Sequence, residues 1–162
     1  MKIEDGTGVT NANSYLSVPA ATEFHADRGN DDWADASPAQ MATALVRATD
    51  YIEATYRARG EPLAMSQCLQ WPRLGDWGLD PRVQRATAIL ALEALSGPLM
   101  GRATRGVKME LVEGDGAGKL QTIYDDAGPE DPFPHATAIL SEIASLRASG
   151  GSSVTGGRVV RL

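Results

Sequence analysis

The sequence predicts a mainly α fold: a helical bundle of about four helices with one protruding β-hairpin and an extended C-terminal arm. Three features lead there. Two helix starts carry a capping residue followed by proline, at Ser37-Pro38 and Asp80-Pro81. Two β-prone segments flank the glycine-rich stretch 113–119, and a Gly/Ser spacer precedes the final residues. At 162 residues the chain suits one domain with a real core. That domain is expected over residues 1–148, with residues 149–162 as the arm.

Residues 1–16 are rich in Gly, Asn and Thr and read as turns leading into the fold. Ser17 is the expected N-cap of a first helix reaching about Arg28, with Gly29-Asn30 as its stop. Ser37 at N-cap, Pro38 at N1 and Gln40 at N3 form a capping box. Behind it Met41, Leu45, Ala48, Ile52 and Tyr56 make an apolar stripe at helical spacing, ended by Gly60 and Pro62. Residues 67–78 form a loop holding Trp71, Pro72, Arg73 and Trp77. Asp80 and Pro81 start the next helix, expected to run to Ser96 and to be the most buried, since only Thr87 and Glu93 are polar between Ala86 and Leu95. Strands are predicted at 107–112 and 120–124. After the rigid Gly128–Pro134 connector, a last helix places Ala136, Ile139, Leu140, Ile143 and Leu146 on one face and ends by Gly150.

Composition narrows the function classes. No apolar run approaches the length of a membrane helix, and Met1-Lys2-Ile3-Glu4-Asp5 does not read as a signal peptide, so a cytoplasmic site of synthesis and no membrane partner are expected. Cys68 is the sole cysteine, which excludes disulfide scaffolds and suggests a small buried hydrophobe. The net charge of −6 divides unevenly: residues 1–56 and 109–148 carry −6 each, residues 57–108 carry +4, and the tail adds +2. Blocks of opposite sign serve head-to-tail contact between copies; the alternative is that they are simply solvated surfaces.

Signs of catalysis or cofactor chemistry are weak. Residues 114–119 invite a phosphate-loop reading, but Glu113 stands where the first glycine belongs and Leu120 where Ser or Thr should hold magnesium. His25 has Glu23 and Asp27 close by, yet at that spacing a helix turns them to different faces. No enzyme, metal or cofactor is expected. Trp71, Arg73, Trp77, Arg82 and Arg85 form the nearest thing to a nucleic-acid patch, with aromatics to stack bases and arginines for phosphate. Against it stands a pI near 4.9. The other reading makes Trp71, Pro72 and Arg73 a structural anchor of the loop. Arg82 and Arg85 sit in a first helical turn, where the dipole disfavours cations, as if reserved for an anion.

The tail is the most distinctive stretch. Ser149 to Gly157 is mostly Gly and Ser, and Arg158-Val159-Val160-Arg161-Leu162 is β-prone without an opposite charge. It reads either as an arm that adds a strand to another subunit's sheet or as a frayed terminus.

Several motifs, taken in order, resemble one phage family. They are Asn11-Ala12-Asn13-Ser14-Tyr15, Ala26-Asp27-Arg28-Gly29 with Trp33 beyond, the segment Leu45–Ile52, Gln70-Trp71-Pro72-Arg73, the Pro81–Leu95 helix and Gly106–Glu110. The resemblance spans roughly residues 3–125. Members are often labelled DnaT-like single-stranded DNA-binding proteins. They are also similar to head-completion adaptors of tailed phages and gene transfer agents, which form a twelvefold ring under the portal. The resemblance implies a virion protein at the head-tail interface, assembled in the host cytoplasm. Its implied partners are the portal protein, copies of itself, a tail-completion or stopper protein, and DNA sliding through an acidic channel without tight binding. Under that reading Val154, Arg158, Val159, Val160, Arg161 and Leu162 grip the portal, and Glu113, Asp115 and Lys119 at the hairpin tip face neighbouring subunits or the next tail component. The alternative is a single-stranded DNA-binding accessory protein using Trp71, Arg73, Trp77, Arg82 and Arg85.

Overall fold

A computed structural model describes residues 1–100, 107–111, 121–124 and 131–147. It is mainly helical, with five helices among the described residues rather than about four. In chain order they are α1 (Val18–Ala26), α2 (Asp31–Ala34), α3 (Pro38–Thr55), strand β1 (Tyr56–Ala58), α4 (Pro81–Ser96), strands β2 (Val107–Leu111) and β3 (Gln121–Tyr124), α5 (Pro134–Leu140) and strand β4 (Ala144–Leu146). No helix among the described residues is long and apolar enough to cross a membrane.

Local chemistry sets the helix starts. Ser17 caps α1, its hydroxyl accepting from the Ala20 N–H at 3.3 Å. At α3 the capping box is complete: Ser37 Oγ accepts from the Gln40 N–H, and Gln40 Oε1 accepts from the Ser37 N–H at 2.9 Å. Asp80 caps α4 through the Arg82 N–H at 2.8 Å, with Pro81 at N1. The short α2, which has no cap bond and no sequence signal of its own, seats Trp33 in the core. The Trp33 indole N–H donates to Thr22 Oγ1 at 3.2 Å.

The core is built on α3 against α4. From α3 it buries Met41, Ala44, Leu45, Ala48 and Ile52, and from α4 Val83, Ala86, Leu90, Ala91 and Ala94. Alanines at the contact let the two backbones approach closely, and each buried large aliphatic contributes about 1.5–3 kcal/mol. Ahead of this pair the chain wraps around a buried carboxylate. Glu4, 1% exposed, accepts from the N–H groups of Gly6, Gly8 and Val9 at 2.8–3.0 Å. Charged hydrogen bonds of this kind offset the cost of burying an ion.

Three expectations need correction. Tyr56 does not extend the helical stripe: its N–H still bonds the Ile52 carbonyl, but its backbone is extended and it opens β1. The last helix stops at Leu140 instead of continuing towards Gly150, because the chain turns at Ser141 and β4 pairs antiparallel with β1, Tyr56 opposite Leu146 and Ala58 opposite Ala144. A long-range strand partner thereby overrides an apolar period that looked helical. Cys68 is exposed rather than buried, since its loop faces the hydrophobes inward only at Leu69 and Trp71. The expected hairpin forms, with β2 and β3 antiparallel and Leu111 opposite Gln121. Its tip, with Glu113, Asp115 and Lys119, and the arm from Val154 to Leu162 lie outside the described residues.

Candidate interaction site

The loop from Arg59 to Leu79, between β1 and α4, is held from beneath by four side chains that each do a separate job. Trp71 is 1% exposed and meets the Tyr15 ring edge-on at 5.9 Å, and its backbone N–H donates to the Tyr15 hydroxyl at 3.3 Å. That hydroxyl in turn donates to Glu53 on α3. Burial pushes the Glu53 carboxyl above the ordinary carboxylate range, and burial beside Glu53 drives the Tyr15 hydroxyl far above its usual value.

Gln70 ties the loop to the end of α3. Its amide nitrogen donates to the carbonyls of Glu53 and Tyr56, and its Oε1 accepts from the Ala58 N–H at 2.9 Å. Gln67 closes the loop on itself by donating to the carbonyls of Leu69, Gln70 and Pro72 while accepting from the Ala64 N–H. Arg73 turns its guanidinium onto the carbonyls of Ala58, Arg59, Gly60 and Gln70 at 2.5–3.3 Å. A planar five-donor fork suits this convergence of acceptors, and lysine could not reproduce it. The motif Gln70-Trp71-Pro72-Arg73 therefore braces the loop.

What the loop shows to solvent is different. Leu63, Met65, Leu74 and Trp77 are exposed; Met65 is 97% exposed and Trp77 wholly so. An antiparallel bridge joins Pro62 to Arg73, with the Leu63 N–H on the Pro72 carbonyl and the Leu74 N–H on the Glu61 carbonyl. Strand alternation then sets Leu63, Leu74 and Glu61 on one face and Arg73 on the other. Beside them Asp76, Trp77, Gly78, Leu79, Asp80, Pro81 and Arg82 line an open cleft of about 360 Å³. A group of large apolar side chains on a braced loop is the most evident contact surface among the described residues.

The five residues of the nucleic-acid patch are not brought together. Trp71 is in the core, and Arg73 is fully engaged by carbonyls. Arg82 pairs with Asp80 at 3.0 Å and Glu142 at 2.6 Å, and these partners raise its already high pKa. Arg85 lies on a different cleft, about 200 Å³, with Phe24, His25, Arg28 and His135. Of these five, Trp77 alone presents an open aromatic face. Sequence reasoning did not single out Leu63, Met65 or Leu74. The available signal was large hydrophobes in a segment without helical or strand period, punctuated by Gly60, Pro62, Gly75 and Gly78.

In the second cleft His25 is itself buried, with Trp33 against its ring at 4.5 Å and Asn30 on Nδ1 at 2.9 Å. Among the described residues its Nε2 has no partner in hydrogen-bond geometry. Burial holds its pKa below the ordinary value; the Ala88 carbonyl opposes that and Arg28 adds to it.

Fold and loop together define a small, mainly helical protein with a braced apolar contact loop. The chain belongs to the family described as "Putative DnaT-like ssDNA binding protein", whose model matches residues 1–162. No curated protein and no solved structure matches it.

Proposed function

We propose that this chain is a structural assembly protein, a head-to-tail adaptor of a tailed phage or gene transfer agent that acts through protein contacts. The observation that carries the reading is the exposure of Leu63, Met65, Leu74 and Trp77 on a loop whose nearby arginines are already engaged. Unpaired apolar surface of this kind favours protein partners, and a chain of net charge −6 repels polyanions. The phage assignment itself rests on the motif resemblance. In this reading copies form a ring under the portal, the arm from Val154 to Leu162 grips the portal, and the hairpin tip at Glu113, Asp115 and Lys119 meets a neighbour or the tail-completion protein. DNA would pass through without tight binding.

The family description favours a second reading, a single-stranded DNA-binding accessory protein, and it names that activity directly while saying nothing of phage particles. Trp77 would be its stacking platform. Filter binding of oligonucleotides at about 50 mM and 200 mM salt separates the two, since a binder that neutralises several phosphates loses affinity by orders of magnitude over that range. The adaptor reading expects weak binding at both salts. Tight binding with a steep salt slope overturns it.

A further inference from the structure

The contact loop and the second cleft have complementary chemistry, and they do not meet within one chain. We infer that Trp77 of one copy seats in the cleft between Phe24, Arg28, Arg85 and His135 of a second copy. The inference rests on the proposed assembly of copies with one another and names the two surfaces that meet. Portal, tail and chain end play no part in it.

The cleft is apolar with a basic rim. Ile89 and Leu92 on α4 and Phe24 on α1 give it hydrocarbon and aromatic surface, and His135 enters from the start of α5. Arg28 is fixed there, its guanidinium carbon 3.5 Å from the Phe24 ring centroid and its Nη1 donating to the Phe24 carbonyl at 2.7 Å. Arg85 is exposed and takes part in none of the ion pairs among the described residues. Glu93 is the one carboxylate in the lining, against two arginines and a histidine. At about 200 Å³ the cleft is smaller than the roughly 300–1,000 Å³ of a small-molecule site, and it suits one large side chain.

Trp77 supplies the converse pattern. It is wholly exposed, and Asp76 precedes it. Asp76 accepts the Arg73 N–H at 2.8 Å, yet among the described ion pairs neither it nor Glu61, on the face of Leu63 and Leu74, has a cation. An indole with acidic neighbours thus faces an apolar cleft with free arginines. Guanidinium groups stack on aromatic faces, as Arg28 already does on Phe24, and opposite charges at the rim set the orientation. Trp77 does not fill the cleft of its own chain. Arg82, held by Asp80 and Glu142, occupies the turn of α4 before Arg85. Contact between two different patches is head-to-tail contact, which repeats from copy to copy and suits a ring.

Sedimentation velocity over a dilution series tests the contact on the full chain, on W77S, on R85E/H135E and on an equimolar mixture of the two variants. The substituted side chains are exposed, so each variant should melt as the wild type does. The inference expects wild-type association that rises with concentration and is at least about tenfold weaker in each variant, because a buried Trp anchor carries much of such a contact. The mixture associates again, an intact Trp77 from one variant meeting an intact cleft on the other. A wild type that stays monomeric up to about 1 mM overturns the inference. So does association unchanged in either variant, and so does a mixture no better associated than its components. None of these results touches the adaptor reading, which fails instead on the oligonucleotide measurement above.

Discussion

The Trp71 ring stands edge-on to Tyr15 at 5.9 Å, and the same Tyr15 hydroxyl joins the Trp71 backbone to the Glu53 carboxylate. One oxygen thus links the N-terminal segment, α3 and the contact loop. Replacing Tyr15 by Phe keeps the aromatic packing but leaves a buried N–H without this partner and a half-buried carboxyl with only the Gln70 N–H. A loss of about 1–3 kcal/mol in urea unfolding is expected. A variant as stable as the wild type would show that the hydroxyl holds nothing.

Arg73 provides a second test of the brace. Arg73→Lys retains the charge but not the fork that spans the carbonyls of Ala58, Arg59, Gly60 and Gln70. The expected cost is about 1–3 kcal/mol, with protease cuts appearing first within residues 60–79. Unchanged cleavage there would mean that the loop is held without the guanidinium.

Gly6 has a positive φ of 93°, and a Cβ on it would stand 2.7 Å from both Gly78 Cα and the Leu79 nitrogen. The N-terminal turn and the contact loop therefore touch backbone to backbone. Gly6→Ala must move one of them at a cost of about 1–3 kcal/mol. Equilibrium denaturation measures it, and an alanine variant of native stability would refute the close approach.

Much of this organisation was legible beforehand, for identifiable reasons. The starts at Ser37-Pro38 and Asp80-Pro81 are local chemistry, readable from three or four consecutive residues. The pairing of Tyr56–Ala58 with Ala144–Leu146 was not, because it joins segments almost ninety residues apart and no local pattern encodes it. Apolar residues at Leu140, Ile143 and Leu146 fit a helical period by coincidence of spacing. For the site, Trp71 and Trp77 look alike in sequence, yet one is core and the other fully exposed. Only the proline after Trp71 pointed to a packing anchor there, and nothing local marked Trp77 as the exposed one. Arg82 likewise read as a cation reserved for an anion until its carboxylate partners are seen.

His25 makes stability depend on pH with a definite sign. Its folded pKa lies below the ordinary value of 6.5, so the unfolded chain takes up the proton first as the solution is acidified. Its contribution is complete above about 6.5 and is lost as pH falls through the folded pKa. Thermal melts from pH 7.5 to 5 should show the wild type losing stability relative to His25→Gln. Parallel curves for the two proteins would contradict the assignment.

The most direct test of the central claim is capture by purified portal rings of the full chain carrying Leu74→Ser with Trp77→Ser. Both side chains are exposed, so the fold should melt as the wild type does. A protein contact at this loop predicts that the double variant, still able to hold the rings by its arm, no longer completes heads. Heads completed by the variant as by the wild type, together with loss of an oligonucleotide affinity that the wild type possesses, would contradict the account.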